Sequence, residues 1–115
     1  MKIKIRLGRK EVNIEVEKCN GIRQALGLMF RSKDNARALL FEFNEPTNIA
    51  IHSLFCPDFI AIWLDSRGQV IDYKRVRPNK LSIKPKQEYM KLLEIPLNNK
   101  YSTVVKLFPS TERFI

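Results

Sequence analysis

The 115-residue sequence contains only two cysteines, one histidine and four glycines, and it has no long apolar run. One histidine and two distant cysteines make a poor metal site, because such sites usually need three or four ligands. The glycines form no phosphate-binding loop, dinucleotide-binding fingerprint or nucleophile elbow. No apolar stretch approaches the roughly 20 residues of a membrane helix. The sequence therefore predicts no metal, no cofactor and no membrane span.

The first residues, MKIKIR, alternate charged residues with isoleucine and lack the apolar stretch of a signal peptide. A cytoplasmic location is therefore expected, and its reducing conditions keep thiols unbridged. A chain of this length buries roughly 60–70% of the surface that its unfolded form exposes. Residues 1–115 are thus expected to fold as a single domain without a disulfide, leaving Cys19 and Cys56 as thiols.

Apolar and charged residues alternate with a period of two along most of the chain, which is typical of half-buried strands. Together with further strand-like segments, this alternation predicts strands over residues 2–7, 12–18, 38–43, 48–55, 59–64, 69–76 and 88–96. Gly8-Arg9-Lys10 and Asp65-Ser66-Arg67-Gly68 are turn sequences, so the strands on either side of each are expected to form hairpins. The tail, residues 101–108, is compatible with a short helix or with a last strand.

Residues 21–31 break this alternation. Ile22, Leu26, Met29 and Phe30 recur at helical spacing, which predicts one short helix. Seven or so short strands with one helical interruption are typical of a mainly β fold. The expected architecture is a single compact antiparallel β-sandwich or barrel with one short helix.

Six short motifs then occur in an order that matches one family. They are GLMFR (27–31), ALLFEF (38–43), IHSLFCP (51–57), WLDSRGQV (63–70), RP (77–78) and LLEIP (92–96). In this order and spacing the sequence resembles the uncharacterised family called domain of unknown function 192, over about residues 21–96. The resemblance implies an all-β sandwich or barrel with a small helix, and it implies no established activity.

The GLMFR motif has two interpretations. Apolar residues at helical spacing usually belong to a core, so Leu28, Met29 and Phe30 are expected to plug the open end of the sandwich. In the second interpretation, Met29 and Arg31 form the lip of a small-molecule-binding or hydrolytic pocket at the barrel mouth, near His52.

His52 is the only histidine. If residues 48–55 form a strand, His52 lies about 13 Å from Cys56, too far for a thiolate–imidazolium pair. A pairing of His52 with Cys19 remains open. No two carboxylates are brought together by their spacing, as glycosidase chemistry would need. The sequence therefore favours a protein without catalytic activity.

The strongest positive signal is a basic stretch in a chain whose 21 Lys and Arg outnumber 12 acidic residues, for a net charge of +9. Its candidate anion-binding residues are Lys74, Arg75, Arg77, Lys80, Lys84 and Lys86. A field of this sign attracts nucleic acid or an acidic protein. The alternative is a solvated loop that serves solubility. The expected function is that of a non-enzymatic binding or accessory module with a basic face.

Overall fold

The computed structural model describes residues 1–20 and 27–109, and this part of the chain contains seven strands. They are β1 (Lys2–Leu7), β2 (Lys10–Glu15), β3 (Glu17–Lys18), β4 (Leu39–Thr47), β5 (Phe59–Leu64), β6 (Val70–Val76) and β7 (Tyr89–Pro96). A 3-10 turn (Asn99–Tyr101) and the short helix α1 (Ser102–Val105) follow the last strand.

The strands form two sheets. β1 and β2 pair as the expected antiparallel hairpin, with Ile3 opposite Ile14 and Ile5 opposite Val12. The second sheet has five strands in the order β3-β4-β7-β5-β6. Its pairings are antiparallel, except that the two residues of β3 run parallel to β4. The predicted mainly β fold is thus confirmed, as a sandwich-like arrangement rather than a closed barrel.

The larger sheet buries both of its faces, and β5 explains how. Every residue of its sequence FIAIWL is buried, and successive side chains of a strand point to opposite faces. Ile60, Ile62 and Leu64 enter one core with the hairpin and α1. Phe59, Ala61 and Trp63 enter a second core. We call these the hairpin-side core and the loop-side core.

Loops, rather than a further strand, cover the loop-side core. The strand expected over residues 48–55 is wrong, because only an isolated bridge joins Ile51 to Ile83. Ser53 bonds to a neighbouring loop, and Phe55 has a positive φ of 54°, which is incompatible with an extended strand. Ile49 and Phe55 are exposed, and the other apolar residues of the segment are only partly buried, so its apolar pattern misled the prediction.

The helix predicted over residues 21–31 falls partly outside the described residues, since 21–26 are not among them. Residues 27–30 form a turn rather than a helix. The short helix α1 lies in the tail, which decides the alternative between helix and strand there.

Both cysteines are buried, and no disulfide joins Cys19 to Cys56, as predicted. Within the described ranges, no helix combines the length and the hydropathy that crossing a bilayer requires.

Candidate binding surface at residues 27–31, 53–56 and 77–88

The predicted anion-binding residues do not share one face. Lys74 and Arg75 are neighbours on the edge strand β6, so their side chains leave the sheet on opposite sides. Arg75 donates hydrogen bonds to the carbonyls of Phe108 (3.0 Å) and Val105 (3.3 Å). Arg75 therefore fastens the end of the described chain and lies apart from the other candidates.

The other candidates are connected through one loop, residues 77–88, which we call the basic segment. It carries four cations, Arg77, Lys80, Lys84 and Lys86, and one acid, Glu88.

Both ends of the basic segment are anchored. At its start, the buried Ser53 hydroxyl donates to the Arg77 carbonyl (2.6 Å) and accepts from the Lys80 amide (2.8 Å). At its far end, the Lys86 amide donates to Asp72 on β6 (3.0 Å). Lys74, also on β6, donates to the Lys84 carbonyl. The segment therefore presents its cations on a backbone that the fold holds in place.

Five cations elsewhere in the described chain pair with carboxylates, whereas three of the basic segment do not. Glu11, Glu17 and Glu42 together pair with Lys4, Arg6, Lys18, Arg31 and Lys91. Among the described residues, no carboxylate pairs with Lys80, Lys84 or Lys86. Their charge is thus available to an external anion.

An exposed aromatic pair lies beside the start of this segment. Phe30 and Phe55 stack with ring centroids 5.2 Å apart and planes 14° apart, and they are 75% and 62% exposed. The Phe30 amide donates to the Phe55 carbonyl (2.8 Å), and the Phe55 amide donates to the Asn79 side chain (3.0 Å). We call Phe30 and Phe55 the phenylalanine pair.

Backbone strain is concentrated at this point. The non-glycine residues with positive φ in the described ranges are Phe30 (63°), Phe55 (54°) and Asn79 (64°). Asparagine tolerates this region, but an aromatic residue there costs roughly 1–3 kcal/mol. Such strain persists where surrounding contacts determine it, and it is frequent at ligand sites.

The prediction that Phe30 plugs the sandwich is wrong, because Phe30 is 75% exposed, whereas Leu28 is fully buried as expected.

A buried carboxyl supports the loop that carries Phe30. Glu94, within the LLEIP motif on β7, is 4% exposed, and burial raises its pKa to about 8 although the Leu28 backbone hydrogen bond opposes the shift. Gly27 has a φ of +52°, and a Cβ there would lie 2.8 Å from Glu94 Oε1. Glu94 was not predicted as a site residue, because a carboxyl on a strand ordinarily faces water.

Replacing Gly27 with alanine tests this contact. The variant is expected to lose roughly 2–4 kcal/mol of unfolding free energy, from left-handed strain together with the clash at Glu94. Gly8→Ala is the matched control, since Gly8 has a φ of +63° but nothing within 4 Å of its added Cβ. Urea unfolding of both variants gives the comparison. Equal losses at the two positions would contradict a specific contact between residue 27 and Glu94.

The alternative pocket at Met29, Arg31 and His52 gains no support from the geometry. Met29 packs against the loop-side core, and Arg31 lies 3.8 Å from a Glu17 oxygen. His52 Nδ1 accepts a hydrogen bond from the Leu54 amide (3.1 Å). Two surface cavities, of about 400 Å³ and 620 Å³, lie beside Arg75 and Tyr101 and have none of these three residues in their walls.

The buried thiol nearest to this region is not set up as a nucleophile. Burial, with a contribution from Glu94, raises the pKa of Cys56 to about 12. The thiolate form that attacks substrates is therefore scarce near neutral pH. In the part of the chain described here, no three of the His, Cys, Asp and Glu side chains are grouped to hold a metal ion.

Comparison with known proteins agrees with this fold. A protein of unknown function from Novosphingobium aromaticivorans superposes with a TM-score of 0.72 at 16% identity, over 90% of this chain and 77% of that chain. A protein from Sinorhizobium meliloti, described as a candidate transcription regulator, superposes with a TM-score of 0.74 at 17% identity, over 95% and 86%. At these identities the likeness extends to the fold alone.

No curated protein matches the sequence. The family model of domain of unknown function 192, described as Uncharacterized ACR, matches residues 3–104. That range contains all six of the motifs noted in the sequence and adds the hairpin and the start of α1. The chain therefore belongs to the uncharacterised family domain of unknown function 192.

Proposed function

We propose that this protein is a non-enzymatic module that binds nucleic acid through phosphate contacts made by the basic segment. Lys80, Lys84 and Lys86 carry the proposal, because they lie together on one anchored loop and no carboxylate among the described residues pairs with them. The net charge of +9 adds a long-range field that attracts polyanions. Anchored backbone at both ends of the segment limits the ordering that binding would otherwise require.

Nucleic acid is favoured over an acidic protein for two reasons. The phenylalanine pair beside the segment offers aromatic faces, which nucleic-acid sites use and ion-pair surfaces do not need. The description of the S. meliloti protein as a candidate transcription regulator is also in keeping with such a partner.

Salt dependence provides the test. Replacing Lys80, Lys84 and Lys86 together with glutamine removes three charges, and each lost phosphate contact should make the slope of log K against log salt shallower by about 0.9 for duplex DNA. The slope of the triple variant is thus expected to be shallower by about 2.7. Fluorescence anisotropy of a labelled duplex at several salt concentrations measures it.

The matched control removes three charges from the hairpin instead. Lys2, Arg9 and Lys10 are exposed and belong to β1, β2 and the turn between them. Their glutamine variant has the same net charge, so it should retain the wild-type slope if contact at the basic segment matters. Equal slopes for the two triple variants would overturn the assignment to this segment.

Displacement of the duplex by polyglutamate at equal charge concentration would assign the segment to acidic proteins and overturn the nucleic-acid proposal.

A further inference from the structure

The phenylalanine pair has no role in the core, yet the fold holds it firmly. Both rings are mostly exposed, and their backbones occupy the left-handed region that aromatic residues avoid. Hydrogen bonds from the Phe30 amide to the Phe55 carbonyl and from the Phe55 amide to Asn79 fix them against each other. A fold that tolerates this strain for two exposed rings presents a preformed, rigid aromatic surface.

Cations flank that surface along the chain. Arg31 follows Phe30 directly, and the Asn79 that binds the Phe55 backbone lies between Arg77 and Lys80. A purely apolar partner would have to remove water from these charged side chains. A ligand with flat aromatic groups and regularly spaced negative charge complements both features at once.

We infer that the phenylalanine pair is a stacking platform for unpaired bases, so that the nucleic acid bound at the basic segment is single-stranded. This inference rests on the proposed function, because the phosphates of the same strand would contact the neighbouring lysines. Sites for single-stranded nucleic acid combine a positively charged path for the backbone with aromatic side chains on which successive bases stack. In a duplex the bases are already stacked on each other and are closed to Phe30 and Phe55.

Three probes of equal length, about 20 nucleotides, separate stacking from charge: an oligothymidylate, an abasic strand and a duplex. The wild-type protein is expected to bind oligothymidylate more tightly than the abasic strand. The double variant Phe30→Ala/Phe55→Ala should bind oligothymidylate roughly 10- to 100-fold more weakly, with unchanged affinity for the abasic strand and the duplex. Ile49→Ala, at another exposed apolar residue (56% exposed), is the matched control and should bind as wild type.

Two further variants make the result specific. Phe30→Leu/Phe55→Leu keeps apolar area but removes the aromatic faces, so it should lose as much affinity as the alanine variant. Phe55→Trp should retain binding, and its added tryptophan should be quenched when oligothymidylate binds. Circular dichroism checks that each variant folds, which is expected since both rings lie outside the cores.

The outcomes distinguish this inference from the proposal on which it rests. If the alanine and leucine variants bind oligothymidylate as tightly as wild type while the lysine triple variant does not, the stacking platform is overturned and the basic segment stands. If the leucine variant alone retains affinity, the contact is apolar and stacking is overturned. If wild type binds none of the three probes, the proposed function itself fails.

Discussion

Raising the pH from about 5 to about 9 is expected to lower the free energy of unfolding by on the order of 3–5 kcal/mol through one residue, Glu94. The Glu94 carboxyl is buried on β7, and burial raises its pKa from an ordinary 4.5 to about 8. No cation contributes to offsetting this rise in the pKa of Glu94, and the Leu28 backbone hydrogen bond opposes it only in part.

The sign follows from proton binding. Between pH 4.5 and about 8, the folded protein keeps the Glu94 proton and the unfolded chain has lost it. Stability falls with pH wherever the folded state binds more protons, so the loss proceeds across this window and levels off above it. Burial, with a contribution from Glu94, raises the pKa values of Cys56 and Tyr89 to about 12, so both groups stay protonated in this window.

Glu94→Gln isolates this contribution. Glutamine has nearly the shape of the protonated acid, and its side-chain oxygen can still accept a hydrogen bond from the Leu28 amide. The variant should match wild type within about 1 kcal/mol near pH 5 and exceed it by on the order of 3–5 kcal/mol near pH 9. Urea unfolding followed by the fluorescence of Trp63, the sole tryptophan, measures both proteins.

Glu45→Gln provides the control, because Glu45 is an exposed carboxyl on β4. Its variant should show the wild-type dependence on pH. A difference between Glu94→Gln and wild type that stays constant from pH 5 to 9 would show that the Glu94 proton does not govern stability.

The elements that sequence predicted correctly are those marked by their own residue types, in strands and in turns. β1, β2, β5, β6 and β7 were all expected from strand-like patterns, and the Asp65 turn followed from its residue types. Asp65 Oδ1 accepts hydrogen bonds from the Arg67 and Gln69 amides, and Gly68 takes a φ of +84°. Local chemistry decides these features, so no knowledge of distant contacts was needed.

The candidate site depends on contacts that no period encodes. Phe55 lies in an apolar run that predicts burial, yet the Asn79 side chain, 24 residues away, fixes its backbone with the ring outside. Glu94 lies between Leu93 and Ile95, where alternation predicts a solvent-facing side chain. Both faces of the central strand β7 are covered, so the carboxyl is buried instead. The basic segment was visible in the sequence, but Arg75 was grouped with it although strand geometry turns it to the other face.

Trp63→Ala is expected to cost about 3–5 kcal/mol of unfolding free energy, the usual loss when a large buried aromatic residue is truncated. Trp63 is fully buried at the centre of the loop-side core, with its ring 6.4 Å from that of Tyr89. The Lys74 ammonium lies 5.9 Å from the Trp63 ring centroid. Lys74 also donates a hydrogen bond to the Lys84 carbonyl of the basic segment, so truncating Trp63 removes the ring that Lys74 lies over.

Trp63→Phe separates lost volume from lost polarity. The indole Nε1 has no hydrogen-bond partner among the described residues, and a buried donor left unsatisfied costs roughly 1–3 kcal/mol. Phenylalanine removes that donor while keeping an aromatic ring, so its net cost is expected to stay below about 2 kcal/mol, well under that of alanine. Urea unfolding followed by far-ultraviolet circular dichroism suits both variants, since neither keeps the tryptophan. Equal losses for phenylalanine and alanine would mean that the Nε1 group finds a stabilising partner, and that polarity rather than volume makes Trp63 important to the loop-side core.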